Sequence, residues 1–175
     1  MSFLRFLGVG GGESAARGDT DTVRRIAARL EAMPPDRARF VAAFAYVLAR
    51  VAAADLRVSE EETAQMQETV ESVGHLPSEV AALVVEIAKS QARLLGGTEN
   101  YVVTREFAKI STREQRAELL GCLFAVASAD ETISGAESGE IAAIADELGF
   151  TRAETNGLRA RWKEREAARR SRAGG

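Results

Sequence analysis

A twelve-residue pattern occurs twice in this chain and constrains its fold more than any other feature. Residues 52–63 read AAADLRVSEEET, and residues 127–138 read ASADETISGAES. Each copy has an Asp, an aliphatic residue three positions later, a Ser directly after it and a Glu three positions further on. The same shift of 75 residues relates Gly74 to Gly149 without a gap. Self-similarity of this length predicts two structurally similar units in one protein.

Apolar residues recur at helical spacing on both sides of the pattern. In FVAAFAYVLARVAAA, spacings of three and four place one set on a single helix face. This set consists of Phe40, Phe44, Val47, Leu48 and Val51. Similar stripes occur in AELLGCLFAVASA and in GEIAAIADELGF, which precede and follow the second copy. Each of these segments is therefore predicted to be a helix with one face in the core.

The predicted fold class is all-α. We expect a helical bundle of about seven or eight helices, built from two pseudo-symmetric repeats at about residues 36–95 and 111–170. Pro34 and Pro35 are expected to end one helix and begin the next, because proline is tolerated in the first turn but not in a helix interior. The short run 101–103 is the one segment with strand character.

Length and composition favour one cytoplasmic domain. A chain of 175 residues with 46% hydrophobic content suits one core, and the net charge of −3 disfavours nucleic acid as a partner. A single cysteine fits a reducing compartment, and no stretch approaches the roughly 18 apolar residues of a membrane span. We place the domain at residues 19–170, after a flexible lead at 1–18 and before a disordered tail at 171–175.

The Ser and Glu residues of the pattern match a helix capping box. In such a box the Ser side chain accepts from the backbone three residues later, and the Glu side chain reaches back to the Ser backbone. The two boxes are predicted at Ser59 with Glu62 and at Ser134 with Glu137.

Asp55 and Asp130 follow long apolar helices, where the helix dipole disfavours negative charge. Each is therefore expected to have a partner: a backbone amide in an Asx turn, a side chain such as Arg57, or a cation.

A cation site would draw on four carboxylates, those of Asp55, Glu62, Asp130 and Glu137. Such oxygen ligands suit calcium, magnesium or manganese ions, whereas zinc prefers imidazole and thiolate groups. Neither copy is an EF-hand loop, because Arg57 occupies the third position of the first copy, where an EF-hand has an oxygen ligand.

The remaining chemistry-bearing residues do not indicate an enzyme. His75 is the single histidine and is expected to lie in an interhelix turn, in a helix C-terminal or partly buried structural role. Cys122 lies on an apolar stripe and is expected to be a small buried hydrophobe. The string GVGGG lacks the spacing of a dinucleotide site. No catalytic residue and no organic cofactor are assigned.

The C-terminal segment RARWKEREAARRSRAGG is rich in Arg and Lys. Positive charge suits the end of a helix, so a solvated helix end accounts for it. The alternative is an electrostatic contact with acidic lipid or with a partner surface. Trp162 is expected to dock this helix onto the bundle.

The stretches ARVAAADLRVSEEETAQM and FAVASADETISGAESGEIAAIADELGF resemble the two halves of the tellurite-resistance protein TerB family. The likeness covers about residues 36–160. It implies a bacterial cytoplasmic stress protein acting in a membrane-linked complex that senses or binds divalent metal. The family's acidic motif corresponds here to Asp55, Glu62, Asp130 and Glu137. The chain is also similar to the helical domain that precedes the J domain in some membrane-anchored co-chaperones.

Two functional hypotheses follow from the residues and the resemblance. The first is a non-enzymatic TerB-like module associated with tellurite resistance, which binds a hard divalent cation through its paired acidic turns and protein partners of a stress-resistance complex. Peripheral contact with the inner face of the membrane belongs to this hypothesis. The alternative is a metal-independent scaffold for protein interactions in which the Asp turns are purely structural.

Replacing Ser59 or Ser134 with Ala tests the predicted capping boxes. Each substitution should lower the free energy of unfolding by about 0.5–2 kcal/mol, because a helix N-terminal amide loses its acceptor. Urea unfolding of the two variants measures this loss, and a loss below that range at both positions would contradict the cap assignment.

Overall fold

The computed structural model describes residues 17–52, 60–92, 100–128 and 135–174, which form eight α-helices. In chain order these are α1 (Arg17–Glu31), α2 (Pro35–Ala52), α3 (Glu60–Ser72), α4 (Ser78–Ala92), α5 (Asn100–Ile110), α6 (Arg113–Ala127), α7 (Gly135–Glu147) and α8 (Arg152–Ala173). No strand occurs in these ranges, so the predicted all-α helical bundle is confirmed.

Helix α2 is the centre of the bundle and packs against α1, α4, α5, α6 and α7. Every residue from Val41 to Val51 is buried. The sequence predicted one buried face, but this helix is buried on all sides. The other faces carry small residues that let neighbouring helices approach closely, namely Ala42, Ala43, Ala45 and Ala49. A helix that is apolar all round is expected to lie inside the core.

Three phenylalanine rings join α2 to α5. The ring centroids of Phe40 and Phe107 lie 5.3 Å apart in a tilted arrangement. Phe44 lies 6.0 Å from Phe107 with the rings edge to face. These distances fall in the range in which aromatic pairs stabilise a core beyond the burial of their area.

Helix boundaries follow the proline and capping chemistry of the sequence. Helix α1 ends at Glu31 and α2 begins at Pro35, as predicted from the two prolines. Helix α6 begins with a capping box that the sequence analysis missed: Thr112 Oγ1 accepts from the backbone N–H of Gln115 at 3.1 Å, and Gln115 Oε1 accepts from the backbone N–H of Thr112 at 2.8 Å.

Helix α8 also begins with a capping box, formed by Thr151 and Glu154. The backbone N–H of Glu154 donates to Thr151 Oγ1 at 3.2 Å, and the backbone N–H of Thr151 donates to Glu154 Oε2 at 2.8 Å. The donation from the Thr151 backbone, followed by that from its hydroxyl, lowers the pKa of the Glu154 carboxyl.

The helix order agrees with the repeat in the sequence. Helix α3 begins directly after Ser59 and α7 directly after Ser134, and the bounds of these two helices differ by the predicted 75 residues at both ends. Helix α2 contacts α7, while α6 contacts α3. The two serines themselves lie outside the described ranges, so the capping boxes at these positions remain predictions, as does the superposition of the two units.

Burial distinguishes the third helices of the two units. Helix α4 lies against α1, α2 and α3 and has fully buried residues such as Leu83 and Ile87. Helix α8 has no buried residue and packs against α6 and α7 through the partly buried Leu158 and Trp162. The predicted docking role of Trp162 is confirmed, and the helix continues to Ala173.

The two glycine stops lie after helix ends, as predicted, but they act differently. Gly149 has a φ of 83°. Its backbone N–H donates to the carbonyl of Asp146, while that of Phe150 donates to the carbonyl of Ala145, which is the hydrogen-bond pattern of a Schellman motif. Arg116 supports this helix end by donating to the carbonyl of Leu148 at 2.9 Å.

At the first stop, Gly74 serves close packing rather than a positive φ. A Cβ at this position would lie 2.6 Å from the carbonyl oxygen of Val70 and 3.2 Å from Cys122 Sγ. The left-handed residue is the next one, His75, with a φ of 52°. His75 lies in an interhelix turn, as predicted, but its side chain is exposed rather than partly buried.

Residues 101–103, the segment with strand character in the sequence, are part of helix α5. Val103 is buried, whereas Tyr101 and Val102 are exposed. The expectation of strand character was therefore wrong, because packing against α2 and α7 decides the conformation of this segment more than the local preference of β-branched residues.

Replacing Gly149 with Ala should lower the free energy of unfolding by about 1–2 kcal/mol, because a left-handed backbone places Cβ close to the following carbonyl. Urea unfolding measures the change. Gly157 is the matched control, since a Cβ there meets nothing within 4 Å and the residue lies inside α8. Gly157→Ala should stabilise the protein by about 0.5–1 kcal/mol. Changes of the same sign in both variants would contradict this account of the turn.

Candidate functional site

The structure places one of the four predicted acidic residues in full. Asp55 and Asp130 lie outside the described residues, and of Glu62 only its position in α3 is described. Glu137 lies in the first turn of α7 and is 3% exposed. A carboxylate in this position is favoured by the positive end of the helix dipole.

A buried arginine lies at the centre of the acidic side of α7. The side chain of Arg50, near the C-terminal end of α2, is 5% exposed. Its Nε donates to Glu140 Oε1 at 2.7 Å, and its Nη1 donates to Glu147 Oε2 at 2.6 Å. Nη2 contacts Glu147 Oε1 at 3.3 Å, and Nη1 also donates to Thr104 Oγ1 at 2.6 Å. We refer to Arg50, Thr104, Glu140 and Glu147 as the Arg50 cluster.

Helical spacing explains how the Arg50 cluster assembles. Glu140 and Glu147 are seven residues apart, so they lie two turns apart on the same face of α7. Glu137 lies one turn before Glu140. Thr104 comes from α5 and is fully buried. The cluster therefore connects three helices, α2, α5 and α7.

The guanidinium of Arg50 remains charged in this environment. Burial by itself lowers the pKa of Arg50, but the hydrogen bonds to Glu147 and Glu140 and the attraction of both carboxylates outweigh burial and raise it. Glu147 is 12% exposed and Glu140 is 33% exposed, so the pair with Glu147 is the more enclosed of the two. Charge-assisted bonds of this kind are about twice as strong as neutral ones.

The sequence analysis missed the Arg50 cluster. It named Arg57 as a possible partner for Asp55 and did not weigh Arg50. The available signal was one arginine near the end of an otherwise apolar helix, because a charge within a buried segment requires a partner. The identity of the partners could not be read from local spacing, since they are 90 and 97 residues away.

The Arg50 cluster relates the segments that border the two Asp turns. Arg50 precedes Asp55 by five residues, and Glu140 follows Asp130 by ten. Their 2.7 Å contact brings the end of α2 next to the first half of α7. Among the residues with described side chains, no three His, Cys, Asp or Glu groups are arranged to hold a metal ion. A cation site therefore depends on Asp55, Glu62 and Asp130, and its assignment remains a prediction.

The thiol and the imidazole occupy unlike environments. Cys122 is fully buried in the core, as predicted, and burial, reinforced by Glu118, raises the pKa of its thiol well above the usual value. His75 Nε2 lies 4.0 Å from Glu118 Oε1, with most of the imidazole exposed. Burial raises the pKa of Glu118, and the nearby His75 opposes this effect.

The helices were also compared with the requirements of a bilayer. In the described part of the chain, none of them combines the length and the apolar character needed to cross a membrane.

The fold and the Arg50 cluster define a class of protein: an all-α bundle in which an acidic helix is held against a buried central helix by an arginine. A family model described as "Tellurite resistance protein TerB" matches residues 40–160. Because this match covers more than half of the chain, the protein belongs to the TerB family. Searches of curated proteins and of solved structures returned no match.

Replacing Arg50 with Met should lower the free energy of unfolding by about 3–5 kcal/mol, because Glu147 is left buried without a counter-charge. Chemical denaturation measures the loss. Lys109→Met is the control: Lys109 pairs with Glu106 at 3.2 Å but is 70% exposed, so its change should stay within about 0.5 kcal/mol.

A triple variant, Arg50→Met with Glu140→Gln and Glu147→Gln, should recover part of the stability that Arg50→Met loses, because it removes the unpaired carboxylates. A loss below about 1 kcal/mol for Arg50→Met, as for an exposed ion pair, would contradict a buried role for this arginine.

Proposed function

We propose that this TerB-family protein is a non-enzymatic stress-response module associated with tellurite resistance. It binds a hard divalent cation through the carboxylates of Asp55, Glu62, Asp130 and Glu137. The observation that carries the cation proposal is the burial of Glu137 in the first turn of α7, next in sequence to the second Asp turn. Burial of a carboxylate is costly without compensation by hydrogen bonds or positive charge.

The contact between α2 and α7 supports a shared site. Arg50 and Glu140 hold the helix that leads into the first Asp turn against the helix that follows the second. Residues bordering two turns that are distant in sequence thus lie side by side. Four carboxylates from this region would supply only oxygen ligands, which suits calcium, magnesium or manganese.

The Arg50 cluster supports a second candidate, a metal-independent scaffold for protein interactions. Arg50 supplies a cation from within the chain and neutralises charge on Glu140 and Glu147. An acidic helix that is balanced internally requires no ion to fold. In this scaffold the Asp turns stabilise helix ends and the surface binds a partner protein.

The non-enzymatic part of the proposal is supported by the state of Cys122. A fully buried thiol with a raised pKa carries very little thiolate, and the thiolate is the nucleophilic form. The exposed His75 lies in a turn beside Glu118, and its Nε2 is at the outer limit of an ion-pair distance.

The proposed setting is a protein complex at the inner face of the membrane. Helix α8 supports this setting, because it is exposed along its length and basic in its last turn, where Arg170 and Arg172 lie. Positive charge of this kind attracts acidic lipid or an acidic protein surface. The protein itself is proposed to be cytoplasmic.

Thermal unfolding with and without divalent cations separates the two candidates. Binding to the native state alone stabilises it by about 2.7 kcal/mol when the ion is at a hundredfold excess over Kd. Millimolar Ca²⁺ should therefore raise the melting temperature of the wild type above its value in EDTA. Asp130→Asn should reduce this rise, because Asn retains the Asx-turn geometry while removing the charge.

Glu164→Gln is the matched control, since Glu164 is an exposed acid of α8. It should leave the Ca²⁺-dependent rise unchanged. Each variant is compared with its own value in EDTA, so a loss of intrinsic stability does not affect the result. A melting temperature that is the same in Ca²⁺, Mg²⁺, Mn²⁺ and EDTA would overturn the cation proposal and support the scaffold.

A further inference from the structure

A cavity of about 440 Å³ lies where α6, α7 and α8 meet. Its apolar lining comes from Phe124, Ile141 and Phe150, which are otherwise almost completely buried. Helical spacing on α7 adds Ser138 and Ala142 to the same wall. A cavity of this volume falls in the range of small-molecule sites, which combine apolar walls with a few polar groups.

Positive charge and hydrogen-bond donors lie on the α8 side of the cavity. Arg152, Asn156 and Arg159 recur at spacings of three and four, so they lie on one face of the helix and line the opening. Asp146 is the one acid among the lining residues. The two guanidinium groups therefore leave this cavity with an excess of positive charge.

Arg159 carries the observation that points to a ligand. Its Nε is buried and has no hydrogen-bond partner among the described residues. Buried donors in folded proteins are nearly always paired, and an unpaired one indicates a missing water, ion or ligand. The donor lines a cavity with apolar walls, so its natural partner is an oxygen of a molecule bound there.

We propose that this cavity binds a small organic carboxylate with an apolar body. The carboxylate accepts from the Arg159 guanidinium, which suits planar oxygen pairs, and the apolar body packs against Phe124, Ile141 and Phe150. Asn156 and Ser138 supply further polar contacts. This site uses none of the four acidic residues of the proposed cation site, so it stands independently of that proposal.

Phenylacetate is a suitable probe, with phenylacetamide and phenethylamine as its neutral and cationic counterparts. Calorimetry and amide chemical-shift titration at low salt should show saturable phenylacetate binding with Kd of about 1 mM or lower. The perturbed amides should cluster in the last turn of α6, in α7 and in the first half of α8. Phenylacetamide and phenethylamine should bind about tenfold more weakly or not at all.

Arg159→Gln should weaken phenylacetate binding about tenfold or more. It should leave the melting temperature of the free protein unchanged or raise it, because a buried unpaired donor is removed. Arg161→Gln is the matched control on the same helix, since Arg161 is exposed and does not line the cavity. Ala142→Leu, which narrows the cavity from the α7 side, should also abolish binding.

Several outcomes would overturn the proposal. Equal binding of phenylacetate and phenylacetamide would identify an apolar pocket without anion recognition. Tighter binding of phenethylamine would assign the site to Asp146 instead. Equal losses in Arg159→Gln and Arg161→Gln would identify non-specific attraction to a basic helix. Absence of saturable binding by phenylacetate would leave the Arg159 donor to a bound water molecule.

Discussion

The buried guanidinium of Arg50 restricts how the helices of this bundle can be arranged. An unpaired charge in a protein interior is unfavourable by several kcal/mol, so α2 can be buried on all sides only if other helices bring acceptors to it. Thr104 from α5 and two glutamates from α7 do so within 2.6–2.7 Å. Because the two glutamates lie two turns apart, they also restrict the axial position of α7 along α2.

The same interaction makes the two halves of the repeat unequal. At the shift of 75 residues, Arg50 corresponds to Ala125, and Glu140 and Glu147 correspond to Gln65 and Ser72. The repeat thus specifies a common order of helices, while the charged pairing occurs once. A second inequality concerns the outer helices: α1 covers α4, whereas α8 remains largely exposed and borders the cavity with its basic face.

Local features of the sequence predicted much of the fold. The all-α class, the break at Pro34 and Pro35, the burial of Cys122 and the docking of Trp162 all depend on periodicity or on backbone chemistry within a few residues. The Arg50 cluster and the complete burial of α2 depend on which helices become neighbours, and periodicity carries no information about that. Of the predicted acidic site, Glu137 is placed in the described structure, whereas the Asp turns lie outside it.

The enclosure of Cys122 has a consequence for behaviour under oxidative stress. Oxidants and electrophiles react with the thiolate form of accessible cysteines. The sole thiol of this chain is fully buried, and burial raises its pKa. The folded protein is therefore a poor substrate for glutathionylation and cannot link to a second copy through a disulfide without opening its core. Any redox sensitivity of its assemblies must originate in partner proteins.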